Sequence, residues 1–299
     1  MADSDPAPLS APAWQASLQL RFGSAGSRTR PLDSHHDGPL RLQRVLRPPD
    51  DACQALLLHP PGGIAGGDTL DINVHLEPNS EVLLSTPGAT KWYRSAGRSA
   101  RQSVMLHVAG GAALEWLPQE SILFNEADAM QSLHVELEPA ARMIGWDIVQ
   151  LGRIAAGEAW TQGRLRQSLR VHRAKQLVWC EEADFLATDT ALHSITGLAG
   201  RAVFGTLWAA SPALSQAPET GLDVVRAALA SEGLQSTPIS AQSELCVAAT
   251  WLPAPAELLL VRALGNDAEA VRQQLERAWA GLRPLTMGRP ARRPRIWNT

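Results

Sequence analysis

Apolar and polar residues take turns along most of this chain. In residues 14–22, WQASLQLRF, the positions Trp14, Ala16, Leu18, Leu20 and Phe22 interleave with Gln15, Ser17, Gln19 and Arg21. Side chains of a strand point alternately to its two faces, so this period predicts a strand with one buried face. The same period recurs at Leu70, Ile72, Val74 and Leu76, at Leu133, Val135 and Leu137, and at Leu165, Leu169 and Val171. Turn-forming clusters, Glu77-Pro78-Asn79-Ser80 and Gly110-Gly111, separate the runs like the corners of an all-β fold. No exact short repeat is visible, so a solenoid built from these strands would have to be irregular.

Helical spacing enters late. Leu222, Val225, Ala228 and Leu229 share one helical face, with Gly233 as its stop. A second helix is capped by Asn266 with Glu269 three residues on, and Val271, Leu275, Ala278, Trp279 and Leu282 form its apolar stripe. The expected helices therefore lie near residues 222–232 and 267–281, with two more strands over 244–252 and 257–264. The opening residues are rich in Pro, Ala and Ser and read as a loose tail over 1–13, followed by one mainly β domain over 14–299.

Four internal stretches stand out. Residues 59–68, HPPGGIAGGD, place Gly62, Gly63, Gly66 and Gly67 beside His59 and Asp68, as suits a backbone needing positive φ or close approach by another segment. A phosphate cradle fails, because no Gly-Lys-Ser/Thr ending is present and a strand-like period follows instead of a helix. Residues 86–95, TPGATKWYRS, set Lys91 and Arg94 around Trp92 and Tyr93, a combination suited to cation–π stacking and a contact surface. In residues 114–124, LEWLPQESILF, Pro118 interrupts an apolar strand and marks an edge or a bend. Glu115 and Glu120 could pass for the carboxylate pair of a β-helical carbohydrate-active enzyme, but spacing alone is weak support. In residues 145–158, GWDIVQLGRIAAGE, Asp147 interrupts an apolar run, and either solvent or a water-filled cavity would suit it. Arg153 and Glu158 read as an ion pair across a glycine turn.

Composition removes several classes of function. Net charge is -3, which gives no reason to expect nucleic acid or an anionic membrane as partner. Arg289, Arg292, Arg293 and Arg295, broken by Pro290 and Pro294, read as a solvated terminus. Cys53, Cys180 and Cys246 are odd in number and far apart, against a disulfide framework or a structural zinc site. No signal peptide or membrane-spanning run is visible, so the expected location is cytoplasmic. Ten Trp stand against one Tyr and four Phe, and each is read as core ahead of interface.

Taken in order, HPPGGIAGGD, TPGATKWYRS, LEWLPQESILF, GWDIVQLGR with its following GE, and the closing PRIWNT resemble the urease accessory D family, called H in some organisms. The resemblance runs from Gln15 to the last residue. It implies a non-catalytic protein with an irregular β-helix-like fold and two helices. It also implies binding to the F accessory protein, through F to the nickel-carrying GTPase G, and docking of the set on apo-urease. Nickel(II) would be cargo in transit and no cofactor would be held tightly. On this resemblance the residues expected along a nickel passage are Asp68, Thr90 and Asp147, each inside a family motif, and Glu181 in a less distinctive region. The other reading from another class is an adaptor that positions its partners and never touches nickel.

Overall fold

The computed structural model describes residues 13–25, 28–48, 51–230 and 244–298. Gly233 lies outside these residues. Five strands, Gln15–Ala25, Thr69–Leu76, Ala100–Val108, Ala127–Leu137 and Gly163–Arg173, stack parallel and in register as the centre of a seven-stranded front sheet. Arg28–Asp37 closes one edge antiparallel and Gln176–Leu186 closes the other. After Thr69–Leu76, Ala100–Val108 and Ala127–Leu137, and after the edge strands Arg28–Asp37 and Gln176–Leu186, the chain leaves the front sheet for a back sheet. There Cys53–Leu58, Glu81–Ser85, Ala113–Trp116 and Arg142–Leu151 are parallel, and Val203–Ala210, Leu258–Gly265 and Leu245–Leu252 continue the sheet antiparallel. The result is a β-solenoid of about four turns.

A short third side completes each coil. Gly63–Ile64, Thr90–Trp92, Ser121–Leu123 and residues 149–151 pair in parallel, so Gly63, Lys91, Ile122 and Gln150 form one row. The four internal motifs of the sequence are thus the same corner in successive turns, roughly 28 to 31 residues apart. The unequal steps explain why no exact repeat is visible. Pro118 sits at the bend between back and third sides, where its carbonyl accepts the indole N–H of Trp146 at 2.7 Å.

Alternation sorts side chains as expected. Leu18, Leu20, Phe22, Leu70, Ile72, Val74 and Leu76 are buried between the sheets, whereas Trp14 is 52% exposed. The back sheet is buried on both faces. Along Arg142–Leu151, Met143, Val149 and Leu151 point into the coil, and Ile144, Trp146 and Ile148 point outward to a second core under the helices. Eight of the ten tryptophans are buried, which decides for core.

Three helices cover that outer face: α1 (Pro212–Gln216), α2 (Pro218–Ala230) and α3 (Ala268–Met287). The expected helix near 222–232 begins four residues earlier, and α1 carried too short a stripe to be read. The cap of α3 is Asp267, whose carboxylate accepts from the N–H groups of Glu269 and Ala270. Asn266, the expected cap, instead accepts from Ala202 N–H at 3.1 Å and ties the helix start to the back sheet.

One buried ion cluster fastens α3 to the coils. The Arg283 guanidinium, wholly buried, binds both oxygens of Glu115 (2.9 Å each) and Asp51 (2.6 Å), while Trp279 donates to Glu115 at 2.6 Å. Arg283 also donates to the Pro290 carbonyl at 2.6 Å, bringing the C-terminal segment down. Trp297 is buried and donates to Ser85 at 3.1 Å, Arg293 pairs with Glu276 at 2.8 Å, and Arg289 pairs with Glu81. The basic tail is therefore docked, because Arg289 and Arg293 meet acidic partners and Trp297 meets a core. Cys53, Cys180 and Cys246 are free thiols. No described helix is long and apolar enough to cross a membrane. Arg283→Met leaves Glu115 and Asp51 buried without their cation, and should lower unfolding free energy by about 3–5 kcal/mol in urea titrations.

Candidate functional site

A cavity of about 360 Å³ lies inside the coils and touches every turn. Leu57, His59 and Gly63 line it in the first turn, Thr86 and Thr90 in the second, Gln102 and Ser121 in the third, and Gln131 and Asp147 in the fourth. Gln167, Glu181 and Thr206 line its far end. Much of the wall is apolar, with Leu40, Leu70, Ile72, Leu133, Leu169 and Phe204 among its residues. The polar groups are not scattered.

Register arranges them. Gln102 pairs with Gln131, and Gln131 with Gln167, on three adjacent parallel strands. Each shares the parity of its strand's buried apolar residues, so all three point inward. The amides of Gln131 and Gln167 form a chain. Gln131 Nε2 donates to Ser121 Oγ at 2.8 Å, Gln167 Nε2 donates to Gln131 Oε1 at 3.4 Å, and Gln167 Nε2 also donates to Asp147 Oδ2. This polar row escaped the sequence reading, although three glutamines at apolar-parity positions were its signal.

Asp147 follows the same rule, because its odd position on Arg142–Leu151 matches inward-pointing Met143 and Val149. Burial pushes its carboxyl up from 3.8 to about 6; Gln167 opposes this and the negative charge of Glu181 adds to it. The water-filled-cavity reading of Asp147 thus fits its position, and solvent on an outer face does not. Glu181 faces the far end and is held bidentate by Arg262, with both contacts at 2.7 Å. Thr90 lines the third side and His59 the first turn. The buried His59 Nε2 has no hydrogen-bond partner, and burial lowers the imidazole pKa below 6.5 against the pull of Asp68. Among the described residues no group of three or more His, Cys, Asp or Glu is placed to hold a metal ion.

Asp68 does not join them. It is 3% exposed, and its two oxygens accept the N–H groups of Trp14 and Ala65 at 2.8 Å each. Its place is inside the glycine-rich loop, whose turn it closes. Gly66 packs so tightly that a Cβ would stand 1.9 Å from the Ser95 carbonyl oxygen, and Gly67 has φ +93°. Gly62 and Gly63 border the cavity instead.

The KWYR group is split by strand alternation. Trp92 is buried at 1% exposure and cannot present itself to a partner, whereas Lys91 is exposed at the cavity rim. Tyr93 packs edge-on against Phe124 with centroids 5.1 Å apart, and Arg94 pairs with Glu126 at 3.3 Å. The described cation–π contacts lie elsewhere, including Arg153 over Phe124 at 4.5 Å. Arg153 and Glu158 do pair, at 2.7 Å. Glu115, offered for a sugar-cleaving pair, points away from the cavity into the α3 ion cluster, while Glu120 stays half-buried.

Comparison with known proteins follows the same boundaries. The sequence profile described as UreD urease accessory protein matches residues 15–298. A protein of Cupriavidus pinatubonensis named urease accessory protein UreD is 43% identical over 289 residues, covering 96% of both chains. Its namesake in Dechloromonas aromatica is 43% identical over 293 residues, covering 98% of this chain and 97% of its own. That of Bordetella pertussis is 41% identical over 291 residues, covering 96% and 98%.

Two outcomes test this geometry. Gly66→Val should lower the yield of folded protein, because the loop backbone cannot move away from Ser95; a wild-type melting curve would overturn the packing described. Asp147 binds a proton more readily folded than unfolded, so the wild type loses stability as pH rises from about 4 through 6. Asp147→Asn should be more stable than wild type at pH 8 by roughly 1–3 kcal/mol, with the gain shrinking toward zero near pH 4 in pH-dependent melts.

Proposed function

The chain belongs to the UreD family of urease accessory proteins and so has a role in urease maturation; on that premise we propose that it is a non-catalytic cytoplasmic scaffold whose coil interior carries nickel(II) toward apo-urease. It bridges the F accessory protein, and through F the GTPase G, to the urease apoprotein. The observation that carries this reading is the internal cavity that meets every turn and is lined along one row by amide, hydroxyl and carboxylate oxygens.

The chemistry of transit supports it. Nickel accepts oxygen and imidazole donors, and a passage needs contacts weak enough to exchange. Thr90, Ser121 and the glutamine row supply neutral oxygens, and Asp147 supplies one charge that appears above about pH 6. His59 supplies an imidazole nitrogen without a competing hydrogen bond. Glu181 is engaged by Arg262, so it serves the passage only when that pair opens. Asp68 acts through the loop it closes.

Asp147→Leu and Asp147→Ala, coexpressed with the urease operon, test the conduit. Leu both desolvates and fills the path, so it should lower nickel per urease active site more than Ala, while pull-down of the F–G–urease assembly stays intact. Asp68→Ala should weaken assembly and nickel content together, through the loop. If Asp147→Leu lowers assembly and nickel in parallel, the chain is an adaptor and the cavity is incidental.

A further inference from the structure

Residues 268–298, α3 and the segment after it, carry seven arginines against two glutamates, whereas the whole chain carries 27 cations against 30 anions. Gly288 caps α3 with φ +68° and reverses the chain. The closing segment then runs back along the helix, so that Arg293 reaches Glu276, 17 residues earlier, at 2.8 Å. At 1.5 Å of rise per residue, the stretch of α3 from Glu276 to Met287 is about 16 Å long. Arg283 on the Pro290 carbonyl and Trp297 on Ser85 hold the segment against the core.

Too few carboxylates meet these cations. Glu81 and Arg142 flank Ala113 in one row of the back sheet and share the outward parity of Leu83 and Ile144. Arg142 binds Glu81 Oε1 at 3.0 Å, and Arg289 takes the other oxygen. Glu276 is divided in the same way, with Arg272 on Oε1 at 3.0 Å and Arg293 on Oε2 at 2.8 Å. Each carboxylate neutralises one of its two guanidiniums and leaves one positive charge over. Glu276 is 13% exposed and Arg293 42%, so the surface presents the cation. The charge of Glu269 also reaches Arg293, but its carboxylate accepts from Gln273 at 3.2 Å. Arg292 and Arg295, both exposed, add two further cations to the same segment.

We propose that this arginine strip, laid along α3 by the closing segment, is a docking surface for a short acidic segment, rich in Asp or Glu, of a protein partner. A guanidinium offers a planar fork that matches a carboxylate, and arginines on a segment already docked lose less freedom when a partner arrives. An extended segment of about five residues spans a strip of this length. Nucleic acid fits less well. Trp279 and Trp297 are buried and offer bases no stacking platform. The rest of the chain is more acidic than the whole, whose net charge is -3, so a long polyanion running past the strip meets like charge. No residue of the strip lines the cavity, and the surface stands whether or not nickel moves through the coils.

The test is a fluorescence-anisotropy titration of a labelled octaglutamate peptide with the purified full-length chain. The wild type should bind the peptide saturably, with an affinity that falls as sodium chloride screens the charges. Arg292→Glu with Arg295→Glu should weaken binding at least tenfold. Arg101→Glu with Lys175→Glu changes net charge by the same amount at two exposed positions of the front sheet, and should keep binding within about twofold of wild type. Circular dichroism and melting curves identify any variant that fails to fold, and Arg295→Glu alone then supplies the readout. An absence of saturable binding overturns the proposal, as does an equal loss in the front-sheet variant, which would mean diffuse attraction to the whole chain. Tighter binding of an oligothymidylate of equal length assigns the strip to nucleic acid and overturns it too. Nickel is absent from every arm, so this surface and the conduit fail separately.

Discussion

In-register parallel pairing is the constraint on which this molecule depends. When each turn of a coil lays its strand beside the last without slipping, a side chain's face is inherited from turn to turn. Leu18, Ile72, Val104, Leu133 and Leu169 stack in this way, and so do Gln102, Gln131 and Gln167. A polar residue admitted to the interior must find partners in its own row or the row opposite, because an unpaired buried amide is costly. Gln131 and Gln167 meet that demand with one another, Ser121 and Asp147. A polar interior is thus a property of whole rows, and a lone polar residue there would only destabilise the coil.

The helices depend on the same rows from outside. Because the back sheet alternates between coil interior and outer face, Ile144, Trp146 and Ile148 offer α3 an apolar floor, while Met143 and Val149 enter the coil core and Asp147 lines the cavity. The Glu115–Arg283–Asp51 cluster then fixes where α3 lies on that floor, and Pro290 and Trp297 bring the chain end over it. Within this cluster the Arg283 cation opposes the upward push of burial on the Glu115 carboxyl, whereas for Asp147 across the sheet the Gln167 amide opposes it and the carboxyl rises to about 6. One sheet therefore separates an ionic fastening from a titrating interior.

Much of this was legible in the residues. The two-residue period located the front strands and the 3.6-residue period located α3, because both depend on burial of a single face. Asp147 stayed open between solvent and a cavity in the sequence, although the parity it shares with Met143 and Val149 was the signal that places it inside. Other features depend on partners distant in sequence. The direction of the Asp68 carboxylate is set by the N–H of Trp14, which no local pattern announces. Trp92 looked like part of an aromatic surface patch because its neighbours are charged, yet strand alternation separates it from Lys91 and buries it. The basic tail looked solvated because its acidic partners, Glu81 and Glu276, belong to other elements. The glutamine row was hidden by the unequal lengths of the turns.

Both edges of the front sheet are antiparallel hairpins, Arg28–Asp37 folded on the first parallel strand and Gln176–Leu186 folded on the last. A reversed strand at each end offers no template for another coil in the same sense, so the stack has a counted length. Neighbouring strands are about 4.8 Å apart, which makes the interior row from Leu70 through Gln102, Gln131 and Gln167 to Ala183 span about 19 Å. The hairpins thus act as the two stops of a ruler. Evolution can lengthen the corner loops freely, but it can change the distance between the ends of this molecule only in whole coils.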